Sequence, residues 1–229
     1  MLKFSDINDF LMDYNELLIG NYPIHSQAPG CPKNLVCSYS GPGWVETENI
    51  TSKGMIYVLI CRSGYSMYGI PVAQVTLVDF YGHLYVKENF QLEEQYLEFG
   101  SDDDGSDATL SEDQLFHIQQ ELLKVISTKD IIVGFALDRA FKNLKLKHPN
   151  IIDIAHLYYV FFMDDSKTES QYLLFLAQMF IPHGYRSFLT GSLSDFQEDS
   201  KICWMLLVLR LLSKNKCLKA LEYQKQGKS

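Results

Sequence analysis

Residues able to ionise, coordinate or attack fall into a few groups along this 229-residue chain. Asp195, Glu198 and Asp199 stand close together, ahead of a long apolar run. Clustered carboxylates can supply the anionic oxygens that a divalent metal needs, whereas one carboxylate alone cannot clamp a pair of metals. A second acidic group, Glu93 to Asp107 with Asp102-Asp103-Asp104 inside it, is interspersed with Gly and Ser and reads as a solvated loop. Its charge would repel a phosphate backbone. His25, Cys31 and Cys37 give three candidate zinc ligands at uneven spacing, while structural zinc wants four, typically in close pairs. Cys61 and Cys203 sit in apolar runs, as core thiols do. His83, His117, His156 and His183 have no Ser or Cys nucleophile at motif spacing. Lys142, Lys145 and Lys147 form a small basic cluster, which reads first as a solvated helix face.

Composition narrows the setting. A 47% hydrophobic content and this length suit one folded domain with a sizeable core. The formal net charge of -8 opposes strong non-specific binding to nucleic acid, which calls for a basic stripe. Five cysteines in a chain this long do not make a disulfide framework. No charged leader with an apolar core and cleavage site opens the sequence, so secretion by that route is not expected. The apolar run Ile202 to Leu212 is too short to span a bilayer and is interrupted by Arg210, so no membrane association is expected.

Elements follow from periodicity. Residues 1–20 place Phe4, Ile7, Phe10, Leu11, Tyr14, Leu17 and Leu18 near helical spacing, which predicts an N-terminal amphipathic helix. Residues 21–53 are rich in Pro, Gly, Ser and Asn and read as irregular. Met55–Cys61 reads as a strand buried on both faces, and Ile70–Phe80 with Gly82–Phe90 as a hairpin. Thr109 with Glu112 suggests a capping box for a helix to about Ser127. Short strands at Ile131–Gly134 and Ile151–Ile154 alternate with a helix at Arg139–Leu146, and helices at about Gln171–Phe180 and Glu198–Leu212 follow. The order predicts an α/β fold, a mixed sheet flanked by helices, over residues 54–213, with 214–229 as a tail.

Several segments, in collinear order over about residues 54–212, resemble the REX-type RNA exonucleases, 3′–5′ enzymes of the DEDD superfamily with an RNase H-like fold. Tyr68-Gly69-Ile70-Pro71-Val72-Ala73-Gln74-Val75-Thr76-Leu77-Val78-Asp79 resembles Y-G-x-E-x-x-R-V-T-V-V-D. The stretch Ile132 to Leu146 is similar to L-V-G-H-A-L-x-x-D-F-x-A-L-K-L, Ile151 to Ala155 to V-V-D-T-S, and Ser194 to Ser200 to H-x-S-x-E-D-A. The family's chemistry uses four carboxylates on two metals, with a histidine as general base. Carried across position by position, the first Asp of A-L-D-C-E-M falls on Ile60, the Glu on Arg62, the second Asp on Ala140 and the histidine on Ser194; only Asp199 is kept. Asp138, Asp195 and Glu198 do not replace what is missing. Tyr96 to Asp104 occupies the place of a substrate loop and is acidic instead. Upstream, His25, Cys37 and Ser40 to Gly43 are traces of a zinc-binding segment found in some relatives, but Trp44 stands at its last cysteine position and Asn49 near its histidine.

Arg62 cannot be deprotonated and would repel Mg²⁺ while offering Asp199 a charge partner. A contact between Arg62 and Asp199 across the vestigial metal site is therefore expected, against the alternative that Arg62 turns to solvent. The resemblance implies a catalytically degenerate member: no catalytic residues, no metal and no cofactor. The leading function is a protein-interaction or scaffold subunit of an RNA-processing or gene-silencing assembly, with other proteins of that complex as partners, weak or no nucleic-acid binding, and self-association left open. A nuclear location, extending to the cytoplasm, is implied by the resemblance alone. Candidate interaction residues are Phe4, Phe10, Leu11 and Leu17, with the aromatic run Leu157 to Phe162 as a second surface; either could be core. A non-cleaving single-stranded RNA-binding module is the alternative, with Lys142, Lys145 and Lys147, where the family also has basic residues, as the RNA contacts and Arg186 as the other basic lining; an active exonuclease with relocated ligands comes last.

Overall fold

A computed structural model describes residues 7–33, 39–49, 54–63, 72–90, 110–158, 169–186 and 196–226. Among these, the chain forms α1 (Tyr14–Ile19), β1 (Val45–Glu46), β2 (Ile56–Ser63), β3 (Val72–Asp79), β4 (Leu84–Asn89), α2 (Glu112–Val125) and β5 (Ile131–Gly134). There follow α3 (Leu137–Asn143), β6 (Leu146–Lys147), β7 (Ile151–Asp153), α4 (Ile154–Leu157), α5 (Glu169–Phe180), α6 (His183–Arg186) and α7 (Phe196–Gln226). The main sheet has five strands in the order β4-β3-β2-β5-β7. β3 is antiparallel to both β2 and β4, while β2, β5 and β7 run parallel. The fold is the expected α/β one, a mixed RNase H-like sheet between helices.

β2 shows why its sequence is continuously apolar. Side chains alternate across a strand, and both faces of this one are covered. Tyr57 and Leu59 join a core with Ile118 and Leu122 of α2 and Phe141 of α3. Ile56, Val58 and Ile60 join a second core with Leu176 of α5 and Leu206 of α7. A central strand between two helical layers has no polar face to show. β5 leads directly into α3 at Gly134, where an added Cβ would lie 2.6 Å from the Leu59 carbonyl oxygen, so only glycine fits against β2.

Several expectations need correction. Residues 1–20 do not form one amphipathic helix among the described residues: a 3-10 turn covers Asn8–Phe10, Leu11 is extended, and α1 starts only at Tyr14. The break is made by Met12, whose N–H bonds to the Ile151 carbonyl at 2.9 Å, and by Asp13, which caps α1 in a reciprocal box with Glu16. Leu17 is fully buried, and Phe10 and Leu11 pack partly buried against the second core. Leu17 is thus core and not an interaction residue; Phe4 lies outside the described residues. The capping box of α2 is Ser111 with Gln114, not Thr109 with Glu112. The 21–53 segment contains β1, paired in parallel with β6, and residues 214–226 continue α7 instead of forming a separate tail.

Candidate functional site

Arg62 lies near the end of β2, two residues beyond Ile60 and on the same strand face, which looks toward α7. Asp199 comes from the first turn of α7. The two meet as expected: Arg62 Nη2 donates to Asp199 Oδ2 at 2.7 Å and Nε donates to the same oxygen at 3.0 Å. The Asp199 side chain is 5% exposed and that of Arg62 16%, so the pair is largely withdrawn from water. One turn further on, burial pushes the Cys203 thiol well up, reinforced by the Asp199 and Asp153 carboxylates. Ile60 is buried in the apolar core beneath. Ala140 is buried as well, but in the opposite core beside Leu137 and Phe141.

This donor set does not fit a divalent pair. Ile60 and Ala140 have no donor atoms, Arg62 is a fixed cation, and the one carboxylate is engaged by that cation. Magnesium needs several hard oxygen ligands in near-octahedral array. Among the described residues no group of three or more His, Cys, Asp or Glu could hold a metal ion. Ser194, Asp195, Cys37 and the acidic 96–104 stretch lie outside the described residues, as does most of the Leu157 to Phe162 run. His25 is buried, with Nε2 donating to the Thr47 carbonyl at 3.1 Å and Nδ1 accepting from Gln27 N–H at 2.9 Å, so both ring nitrogens are used inside the fold.

The three lysines do not make one basic face. Lys142 pairs with Asp138 at 3.2 Å. The backbone reverses at Lys145, with φ 44°, and Lys147 is carried inward, buried and paired with Glu46 at 3.1 Å. Lys147 is therefore no candidate for phosphate contact.

Sequence reasoning aligned Asp153 with the Asp of V-V-D-T-S but gave it no role; it stands at the carboxyl end of the parallel strand β7. Asp153, fully buried at the end of β7, accepts from Tyr22 Oη (2.7 Å), Leu137 N–H (2.6 Å), Ala136 N–H (3.1 Å) and Ala155 N–H (2.8 Å). Burial pushes its pKa up against the pull of these donors. The four bonds tie the first turns of α3 and α4 to the N-terminal segment. They also hold Ala136 at φ 53°, a left-handed conformation costly for a residue with a Cβ. An Asp that ends a strand and opens a helix was the available signal; its Tyr22 partner, 131 residues away, gave none. Beside it opens a pocket of about 430 Å³ with Glu16, Asp138, Arg139 and His156 on its walls.

No family model matches the chain. It is 27% identical over 217 residues to RNA exonuclease 1 of Saccharomyces cerevisiae, covering 92% of this chain and 36% of that protein. It is 26% identical over 171 residues to an uncharacterized exonuclease of Schizosaccharomyces pombe, covering 69% of this chain and 26% of that protein. The chain thus spans roughly a third or less of the lengths of these curated relatives. It is similar to exonucleases in sequence, and its sheet has the RNase H-like arrangement that such enzymes use.

Proposed function

We propose that this domain is a pseudo-exonuclease: a nuclease fold that does not cleave and serves as a protein-interaction or scaffold subunit in an RNA-processing or gene-silencing assembly. The Arg62–Asp199 ion pair carries the reading. It puts a permanent positive charge where two-metal chemistry needs anionic ligands, and it engages the carboxylate the resemblance retains. The similarity to RNA exonuclease 1 supports an RNA-related setting and, through it, a nuclear location. Burial of Lys147 and pairing of Lys142 weigh against the alternative of a non-cleaving RNA-binding groove.

The test is a single-turnover assay on end-labelled single-stranded RNA with Mg²⁺ or Mn²⁺, comparing the unmodified protein with Asp199→Ala. No cleavage by either is expected. Metal-dependent cleavage that disappears in the variant would overturn the reading. A salt-sensitive gel shift at low ionic strength would instead favour RNA binding without cleavage.

A further inference from the structure

An apolar groove of about 670 Å³ runs along one face of α7, with Ser200 and Lys201, next in the chain to Asp199, lining one end of it. Its floor is Trp204, Met205, Val208 and Leu212, and its opposite wall is the β3–β4 turn with Phe80 and Tyr81. The aromatic rim is open to solvent: Phe80 is 48% exposed, Tyr81 75% and Tyr185 60%. Exposed aromatics gathered around one concave apolar surface mark a binding site more often than an accident of folding.

The turn is built to hold these rings outward. Asp79 Oδ1 accepts from Tyr81 N–H (2.8 Å) and His83 N–H (2.9 Å), and Oδ2 lies 2.9 Å from His83 Nδ1. Gly82 completes the turn at φ 84°. Burial raises the Asp79 pKa, but these bonds outweigh it and hold the carboxyl below its ordinary value. Asp79 lines the groove, but its side chain is 3% exposed and its carboxylate oxygens are engaged within the turn.

What the groove does present is donors. Lys201 lines it at the end nearest the start of α7 and is exposed. The Trp204 Nε1–H is buried without an acceptor among the described residues, beneath a Phe80 ring whose centroid lies 4.5 Å from that of the indole. From Lys201 to Leu212 the wall follows about three helical turns, roughly 16 Å. It is cationic at one end and apolar at the other.

The geometry points to a docking site for an amphipathic helix of another protein, about three turns long, with aliphatic anchors on one face and an acidic end that lies against Lys201. The inference rests on the reading that the domain works by binding a protein partner, and it names the surface and the partner's chemistry. A short helix lays residues at i, i+3, i+4 and i+7 into such a groove. A carboxylate at its acidic end would pair with Lys201.

The test titrates the full chain, labelled with ¹⁵N, with a synthetic helix of about fourteen residues carrying leucines at that spacing and glutamates at one end. A counterpart carries lysines in place of the glutamates. The indole N–H signal of Trp204, assigned by Trp204→Phe, is expected to shift with the acidic peptide, while that of Trp44 stays. Tyr81→Ser, at an exposed position, is expected to abolish the shift, and Lys201→Glu to weaken binding about fivefold. The proposal is overturned by no shift, by an equal shift with the basic peptide, or by an equal shift with a fatty acid. It is also overturned by concentration-dependent dimerisation that Tyr81→Ser removes, which would make a second copy the occupant. None of these outcomes bears on whether the domain cleaves RNA, so failure here is distinguishable from failure of the pseudo-exonuclease reading.

Discussion

Mild acid should destabilise this fold through one residue, His148. It is fully buried, with Nε2 donating to the Asp130 carbonyl at 2.9 Å and Nδ1 accepting from Thr47 Oγ1 at 3.1 Å. Burial, aided by the nearby His25, outweighs the attraction of Asp130 and pushes its pKa down from 6.5 to about 4. Above pH 6.5 the imidazole is neutral whether the chain is folded or not, and the full stability is present. Between pH 6.5 and 4 the unfolded chain takes up a proton that the folded chain refuses, so stability falls as pH falls; below about pH 4 this residue takes no more. With each pH unit of difference worth 1.36 kcal/mol, the total loss is about 3 kcal/mol, of which about 2 kcal/mol is spent between pH 7 and pH 5. For a domain with a typical 5–15 kcal/mol of stability, that is a large fraction. The assay is urea unfolding at half-unit steps from pH 5 to 7, comparing the unmodified protein with His148→Gln. The variant should be less stable at pH 7 but should lose less on acidification. A direct measurement follows the His148 ring protons by NMR in the unmodified protein, which stands even where the variant folds poorly. Titration near 6.5, or parallel pH slopes in the two proteins, would refute the argument.

Two further outcomes follow from the buried polar contacts. Arg62→Met should cost about 3 kcal/mol in urea unfolding, because it strands the nearly inaccessible Asp199 carboxylate without its cation, while Arg62→Met with Asp199→Leu should recover most of the loss. A double variant no more stable than the single would show that the pair is not what the site depends on. Tyr22→Phe removes one of four donors to Asp153 and should cost about 2 kcal/mol, seen as a lower unfolding midpoint at unchanged denaturant slope. A loss below about 0.5 kcal/mol would mean that the three backbone donors suffice.

What the sequence made legible and what it hid divide along a physical line. β2 was legible because a strand covered on both faces must be apolar throughout, and Met55–Cys61 is. The N-terminal helix was misread because Ile7, Phe10, Leu11, Tyr14 and Leu17 do keep a near-helical spacing. The break comes from a backbone bond, Met12 to Ile151, and side-chain periodicity carries no record of it. The lysines were misread for a related reason: the reversal at Lys145 turns neighbours in sequence toward different partners, and Glu46 is 101 residues from Lys147. Separation alone does not decide the matter, however. Arg62 and Asp199 are 137 residues apart, and Tyr22 and Asp153 are 131 apart, yet only the first pair was anticipated. A guanidinium at the end of an otherwise apolar buried strand cannot shed its charge, so it must reach water or an anion, and the retained carboxylate was the one the collinear motifs placed nearby. A phenol is neutral and at home in a core without any named partner, so nothing in Tyr22 pointed to Asp153. Long-range contacts become legible where leaving a group alone would be costly enough to force a choice, and the Arg62–Asp199 pair is such a choice.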